Sequence, residues 1–386
     1  LTRAAAAERG QSSTRLADRI KALYQITSEL LAVSDTDELC VRLIDMIFEV
    51  LPADRCALLF NDENGQLVQR VLRTRPGHDP DGFAPSRTIT RKVARDNLAV
   101  LSMDATMDDR FATGQSVFMQ SIRAVMCAPV SSVQKVFGVA YLDTVATGGS
   151  FDESDLDFLV AVCRQAAMAL EKLHLLDEQK KTFESMVRAF AHSIDARDEM
   201  TAGHSSRVAK YSQAIARYMG MERADCKRVW YAGLLHDLGK IGTREAVLCK
   251  DGALTPEEYE HIKEHPRHTL KILSAINFTA DMADIPRVAS SHHERIDGAG
   301  YPFGWKGDEI PLGGRIIAVA DFFDALTARR HYREPMPLDE VIALMEKGRD
   351  SQFDAVVLDA FRQYFSNEYE PGARRTAARK TTKNSG

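Results

Sequence analysis

LLHDLGKIG (residues 234–242) and HHERIDGAGYP (residues 292–302) set the character of the second half of this 386-residue chain. Seven of the eleven histidines fall between His204 and His293. Neutral imidazoles and carboxylates are the donors that hold divalent metals such as Fe, Mn or Zn. An acid–base site needs one or two histidines; seven, several beside acidic residues, point to a metal cluster. In the first string Trp230, Leu234, Leu235 and Leu238 suit the buried end of a helix, with Gly239 as its C-terminal cap. His236 and Asp237 diverge by about 100° around a helix, so they flank one point only off its end or side. In the second string His292 and His293 close an apolar helix over 285–291. Gly298, Gly300 and Pro302 follow in a turn that lets a phosphate or ring approach the backbone.

Between the strings, Thr255-Pro256-Glu257-Glu258 reads as a capping-box helix start. His261 and His265 lie four residues apart on that helix, and Pro266 should distort it. His261 is expected to face solvent beside Glu257 or Glu258, whereas His265 is a candidate ligand. Asp321 and Asp324 sit in an apolar helix over 311–330, and burying Asp321, between Ala320 and Phe322, needs a metal or a donor. Lys240 is a natural phosphate contact as a point charge. No strand-like alternation follows Met200, so this half is expected to be all-α.

The first half has a different texture. Helices are expected over 16–33, with Leu16, Ile20, Leu23, Ile26, Leu30 and Leu31 on one face, and over 36–51, with Leu39, Leu43, Ile44 and Ile47 inward. ALLF (57–60), the Asn64-Gly65 turn and LVQRVL (67–72) read as a hairpin, with further strands at 99–102, 125–130 and 136–143. Together they make an α+β domain with an antiparallel sheet. Residues 152–198 contain no Gly or Pro and read as one long helix, a connector or the seam of a parallel dimer. Two helices broken near 177–181 are the alternative.

Length and charge bound the rest. A mass of 43.0 kDa fits two domains. A net charge of −5 and a pI near 6.2 argue against a nucleic-acid binder. The basic run over 374–383 lacks apolar periodicity and reads as a disordered tail. The six cysteines are scattered and suit a reducing cytosol. With no membrane-spanning stretch and no signal peptide, a cytoplasmic location is expected. The chain begins at Leu1 without Met, so a natural segment upstream of it is expected.

From about 183 to 365 the chain resembles the HD-GYP phosphodiesterases. The resemblance is carried by GHSSRV (203–208), LLHDLGKIG, LTPEEYEHIKEHP (254–266), HHERIDGAGYP and IPLGGRIIAVADFFDALTARRHYR (310–333). It implies metal ligands at His204, His236, Asp237, His265, His292, His293 and Asp321, with Asp237 bridging two metals. His204, His236 and Asp321 would hold one metal, and His265, His292 and His293 the other. It implies two divalent ions, Fe foremost and Mn next. A third metal is disfavoured because Met200 stands where some members have glutamate, with Glu199 one place earlier. Asp237 and Lys240 are the expected catalytic residues. Lys240, Gly300, Tyr301, Pro302, Arg295 and Arg315 are the expected substrate contacts. His268, in place of the usual glycine, is expected at the rim. The implied substrate is cyclic di-GMP, opened to pGpG and in some members onward to GMP. The alternatives are an inactive cyclic di-GMP-binding module and an HD phosphohydrolase of another nucleotide.

The first half resembles a GAF module over 16–176, in LPADRCALLF (51–60), the run over 87–111, IRAVMCAPV (122–130), VFGVAYLD (136–143) and FDESDLDFL (151–159). That implies a small ligand, unnamed because the cyclic-nucleotide signature is not evident, or dimerisation. The expected plan is a disordered or truncated 1–15, a GAF sensor over 16–176 and a connecting or dimerisation helix over 152–198. A catalytic domain over 183–370 and a disordered tail over 371–386 complete it.

Overall fold

A computed structural model describes residues 19–77, 83–102, 124–145, 151–197, 203–250, 252–328 and 334–370. The chain divides into two compact units, Leu1–Lys180 and Lys181–Gly386. The expected N-terminal segment over 1–15, the basic tail over 371–386 and residues Leu16, Glu199 and Met200 lie outside the described residues.

The first unit is α+β. Helix α1 (19–32) precedes α2 (Thr36–Val50), whose start is fixed by Asp35 accepting from the backbone N–H groups of Asp37 and Glu38. Strands β1 (Arg55–Asn61), β2 (Leu67–Thr74), β3 (Val100–Ser102), β4 (Ala124–Ser131) and β5 (Val136–Thr144) form an antiparallel sheet in the order β2-β1-β5-β4-β3. The period-2 alternation of β1 feeds two cores. Cys56, Leu58 and Phe60 pack with α1, α2 and Phe158, Leu159 and Val162. Ala57 and Leu59 pack on the other face with Phe83 and with Ile89 and Val93 of α3 (Arg87–Asp96). The hairpin closes through Asp62 N–H to the Gln66 carbonyl at 2.9 Å, with Gly65 at φ +74°. The Asp62 carboxylate accepts from the N–H groups of Asn64 and Gln66, so the turn is wider than the Asn-Gly pair alone. On α1 the apolar face is narrower than its sequence suggests. Ile26 and Leu30 are buried and Leu23 is half-buried, while Ile20 and Leu31 are 47% and 45% exposed.

Helix α4 (Glu153–Asp195) runs for 43 residues and continues through 177–181 without a break. The second unit is all-α: α5 (His204–Tyr218), α6 (Arg223–Leu235), α7 (Glu245–Leu248), α8 (Pro256–Ile262), α9 (His265–Leu273), α10 (Ile285–Ala289), α11 (Leu312–Thr327), α12 (Leu338–Lys347) and α13 (Ala355–Tyr364). Small residues let the ligand-bearing helices approach closely. A Cβ on Gly233 of α6 would sit 3.0 Å from Ala209 Cα of α5, and one on Gly314 of α11 would sit 2.0 Å from Ser291 Oγ. No helix among the described residues is long and apolar enough to cross a membrane.

Two local expectations are corrected here. Helix α8 ends at Ile262 and α9 starts at His265 with Pro266 in its first turn, so His261 and His265 do not share a helix. Proline lacks the N–H an interior position needs but fits a helix start, and so it ends one helix by beginning the next. Gly239 is not a left-handed cap. Helix α6 already ends at Leu235, and Gly239 lies in a 3₁₀ turn over Leu238–Gly242. A Cβ there would meet the His265 carbonyl oxygen at 1.9 Å, so the glycine permits close backbone approach.

Among the described residues of the first unit, a bidentate ion pair is buried, Arg55 Nε and Nη2 on Asp143 Oδ1 and Oδ2 at 2.7 and 2.9 Å. The guanidinium also stacks 4.7 Å from the Phe83 ring centre. Removing one partner leaves a buried charge, so Arg55→Met is expected to destabilise this unit by about 3–5 kcal/mol, measured by urea unfolding. Arg55→Met with Asp143→Leu should recover most of that loss; no recovery would show that the pair is not the source.

Candidate metal centre

Helix ends bring the donors together. His204 opens α5, His236 caps the end of α6 with Asp237 directly after it, His265 opens α9, His292 and His293 follow α10, and Asp321 lies within α11. Three of these rings are aimed by their own backbone. His236 Nδ1 lies 2.8 Å from the Gly233 carbonyl, His265 Nδ1 2.8 Å from that of Ile262, and His292 Nδ1 2.7 Å from that of Ala289. A carbonyl only accepts, so each Nδ1 carries the proton and each Nε2 of a neutral ring presents a lone pair. His204 follows the same logic by another route, with Nδ1 donating to Asp324 Oδ2 at 2.7 Å.

The Nε2 atoms converge on Asp237. Its Oδ2 lies 3.4 Å from His236 Nε2 and 3.9 Å from His204 Nε2, while Oδ1 lies 3.2 Å from His265 Nε2 and 3.9 Å from His292 Nε2. Asp321 Oδ1 closes the first side, 3.1 Å from His204 Nε2 and 3.9 Å from His236 Nε2. Two triads result, each with donor atoms within 4.8 Å of one another: His204, His236 and Asp321, and His265, His292 and His293. His236, Asp237 and His292 form a third such group between them.

The donor chemistry fits cations. His265 Nε2 and His292 Nε2 face each other at 3.3 Å, and both bear lone pairs when neutral. His236 Nε2 is buried without a hydrogen bond among the described residues. Aligned lone pairs and an unsatisfied buried nitrogen are costly unless a positive centre lies between them. Imidazole and carboxylate together suit Fe, Mn or Zn.

Protonation equilibria point the same way for His236, His292 and His293, while His204 shares its proton with carboxylates. Burial pushes His292 well below the usual imidazole range and lowers His236, and it brings His293 down to about 3. Burial would raise Asp237 and Asp321, yet both are held well below the carboxylate range, Asp237 by Lys240 and the imidazoles, Asp321 by His204. For His204 burial acts downward, but hydrogen bonds to Asp321 and Asp324 outweigh it and raise the pKa to about 10.

A surrounding layer holds these groups in place. Arg207 grips Asp324 through Nε and Nη2 at 2.7 and 2.9 Å, so the carboxylate that aims His204 is itself fixed. Thr269 Oγ1 accepts from Gly239 N–H and donates to the His236 carbonyl, tying α9 to the His236-Asp237 turn. Buried Glu294 accepts from the N–H groups of Phe303 and Trp305 and gathers the loop that carries Tyr301. The roles of Asp324, Arg207, Thr269 and Glu294 are invisible in sequence; an Asp one turn after Asp321 was the only available signal.

The remaining sequence candidates divide. Lys240 Nζ meets Asp237 Oδ2 at 2.6 Å. The Tyr301 ring stacks on His293 at 4.7 Å, which places the loop over 300–302 at the centre's edge. Gly300 admits the protein's own backbone, since a Cβ would lie 2.4 Å from Arg295 N. Arg295 instead pairs with Asp297, and Arg315 with Asp354, Asp308 and the Ile310 carbonyl, so neither guanidinium joins the cluster. Phe303 and Trp305 stack on each other at 4.5 Å, with Arg267 over the Phe303 ring and Arg287 over the Trp305 ring. His261 Nε2 accepts from Arg244 N–H at 3.2 Å rather than partnering Glu257 or Glu258. His268 packs on Gly242, where a Cβ would approach its Nδ1 to 2.5 Å.

Comparison with known proteins agrees with both halves. The GAF domain family profile matches residues 35–170 and the HD domain family profile residues 188–357. The chain is 43% identical over 182 residues to the 3'3'-cGAMP-specific phosphodiesterase 3 of Vibrio cholerae serotype O1, covering 47% of this chain and 38% of that protein. It is 38% identical over 199 residues to the cyclic di-GMP phosphodiesterase of Thermotoga maritima, covering 50% and 54%. To the cyclic di-GMP phosphodiesterase response regulator RpfG of Xanthomonas campestris pv. campestris it is 35% identical over 200 residues, covering 51% and 52%. The matches thus span about half or less of each relative's length. The five-stranded antiparallel sheet and the helical unit with its histidine–aspartate cluster accordingly make this chain a GAF domain followed by a domain of the HD family.

Proposed function

We propose that this chain is a metal-dependent phosphodiesterase that opens cyclic di-GMP to linear pGpG. The observation that carries the reading is the Asp237 carboxylate, with one oxygen turned to each imidazole group and Lys240 paired to it. His204, His236 and Asp321 would hold one divalent ion, His265, His292 and His293 the other, and Asp237 both. Two such ions lower the pKa of a water and offset charge on the phosphoryl oxygens. Ionised Asp237 orients the attacking water by accepting a hydrogen bond from it. Lys240 Nζ would donate to a non-bridging phosphate oxygen. The Nδ1–H bonds to backbone hold the rings still while charge develops. Tyr301 and its flanking Gly300 and Pro302 would line the approach to the phosphate.

A second substrate, 3'3'-cGAMP, is favoured by the name of the 43%-identical relative. The two dinucleotides share the scissile linkage that this centre would address. The GAF domain would act as a sensor of a small ligand within the cytoplasm. Helix α4 would be the seam of a parallel homodimer, because Met168, Leu175, Met186 and Phe190 recur on one stripe at 57, 53, 56 and 53% exposure.

With Mn or Fe supplied, purified protein should convert cyclic di-GMP to pGpG, read by chromatography. His236→Ala with Asp237→Ala should abolish turnover, and Lys240→Ala should lower kcat by roughly 10²-fold. Protein that binds two metals yet leaves both dinucleotides intact would sink the reading.

Acid should loosen the second unit. Buried His236, His292 and His293 resist protonation that a free imidazole accepts near 6.5, so the unfolded chain binds more protons from there down to about 3. His204, raised to about 10, stays protonated in the folded chain; it opposes the trend only near pH 7, where an unfolded imidazole is partly deprotonated, and adds no slope further down. Stability of metal-stripped protein should therefore fall as pH drops from 7 to 4, by up to about 1.4 kcal/mol per pH unit and buried imidazole. His293→Gln should flatten the slope of the thermal midpoint; a midpoint indifferent to acid would contradict the electrostatic account.

Light scattering at micromolar concentration should give a dimer, and Met186→Glu with Phe190→Glu a monomer. A monomeric parent chain would remove α4 as the seam.

A further inference from the structure

Lys240 sits on a turn that has to be held from outside, because its ammonium alone cannot fix its backbone. On one side the Leu238–Gly242 turn is pinned by α9, through Gly239 N–H on Thr269 Oγ1 at 2.8 Å and Gly239 packed on the His265 carbonyl. The other side presents carbonyls, as the end of any 3₁₀ or α turn does. Those carbonyls are met by one guanidinium. Arg197 Nη1 donates to the carbonyls of Ile241 at 3.0 Å and Lys240 at 3.4 Å, and Nη2 donates to that of Thr243 at 3.4 Å.

Arg197 belongs to the turn that ends α4, its N–H bonded to the Ile194 carbonyl. That turn is itself anchored in the second unit. Ser205 Oγ, beside His204, donates to Asp195 Oδ1 at 2.6 Å, and the Cys249 thiol donates to the Arg197 carbonyl at 3.4 Å. One turn therefore reaches both the start of α5 and the Lys240 segment. A planar fork spreads its donors over carbonyls several ångströms apart, whereas the three donors of an ammonium radiate from a single nitrogen.

We propose that Arg197 is a positioning residue that holds the Lys240 turn and so places Nζ against Asp237 and the phosphate; the claim rests on the phosphodiesterase reading above. It acts through Lys240 and does not touch the reacting atoms. Arg197→Ala should lower kcat on cyclic di-GMP about tenfold, with metal content by elemental analysis and the thermal midpoint unchanged. In a Lys240→Ala background the same change should cost less than twofold, because the group it serves is gone. Arg197→Lys, whose donors all radiate from one nitrogen and cannot span the three carbonyls as the fork does, should recover only part of the loss. Losses that add in full in the double variant, or parental kcat in Arg197→Ala, overturn the proposal. A second readout is independent of turnover. Amide exchange at Gly239, Lys240 and Thr243 should quicken at least tenfold in Arg197→Ala and in Arg197→Lys to a lesser degree, with α5 unaffected. Unchanged exchange overturns the proposal even where the parent is active. An inactive parent with quickened exchange overturns the functional reading and leaves the positioning role standing.

Discussion

A buried carboxylate facing two sets of buried imidazoles governs this structure. Asp237 takes its place only because α6 stops at Leu235, two residues earlier, and the chain then turns toward the ends of α5, α9 and α10. Helix packing then follows from the need to bring four helix termini within reach of a single side chain. Gly233, Gly239 and Gly314 are small for that reason, since a methyl at any of them would push a ligand-bearing segment outward. The apolar core supplies the rigidity, while the carboxylate sets where the helices must end.

Electrostatics and packing reinforce one another at this point. Burial strips water from His236, His292 and His293 and keeps them neutral, the form in which nitrogen donates a lone pair to a cation. The same burial would neutralise Asp237 and Asp321 if they stood alone. Lys240 and the neighbouring rings keep them charged. A low-dielectric pocket thus holds neutral donors and anionic donors side by side, because each group's shift is set by its neighbours as well as by depth.

Much of this was legible in the sequence, because liganding residues sit in short strings flanked by helix punctuation. The histidine density, the capping box at Thr255 and the apolar run into His292 place most of the centre's residues on recognisable elements. What stayed hidden has a common cause. Asp324, Arg207, Thr269 and Glu294 act on residues remote in sequence, and an aspartate next to a phenylalanine reads the same whether it aims an imidazole or faces solvent. Arg295 and Arg315 carry the converse ambiguity. A guanidinium near a glycine-rich turn suggests phosphate, and in the structure aspartates pair with both. Gly239 and Pro266 were read by local propensity, as a cap and a distortion, where tertiary contact made one a spacer and the other a helix start.

The bonds from three Nδ1 atoms to carbonyls three residues upstream have a further meaning. Each ring takes its bearing from a single turn of its own chain, so direction is a local property and separation a global one. The two can vary independently over evolutionary time. Substitutions in the packing between helices can widen or narrow the gap between the two triads while every ring keeps its heading. Such a centre can drift toward a cation of another size by small steps, without passing through a form in which the donors point astray.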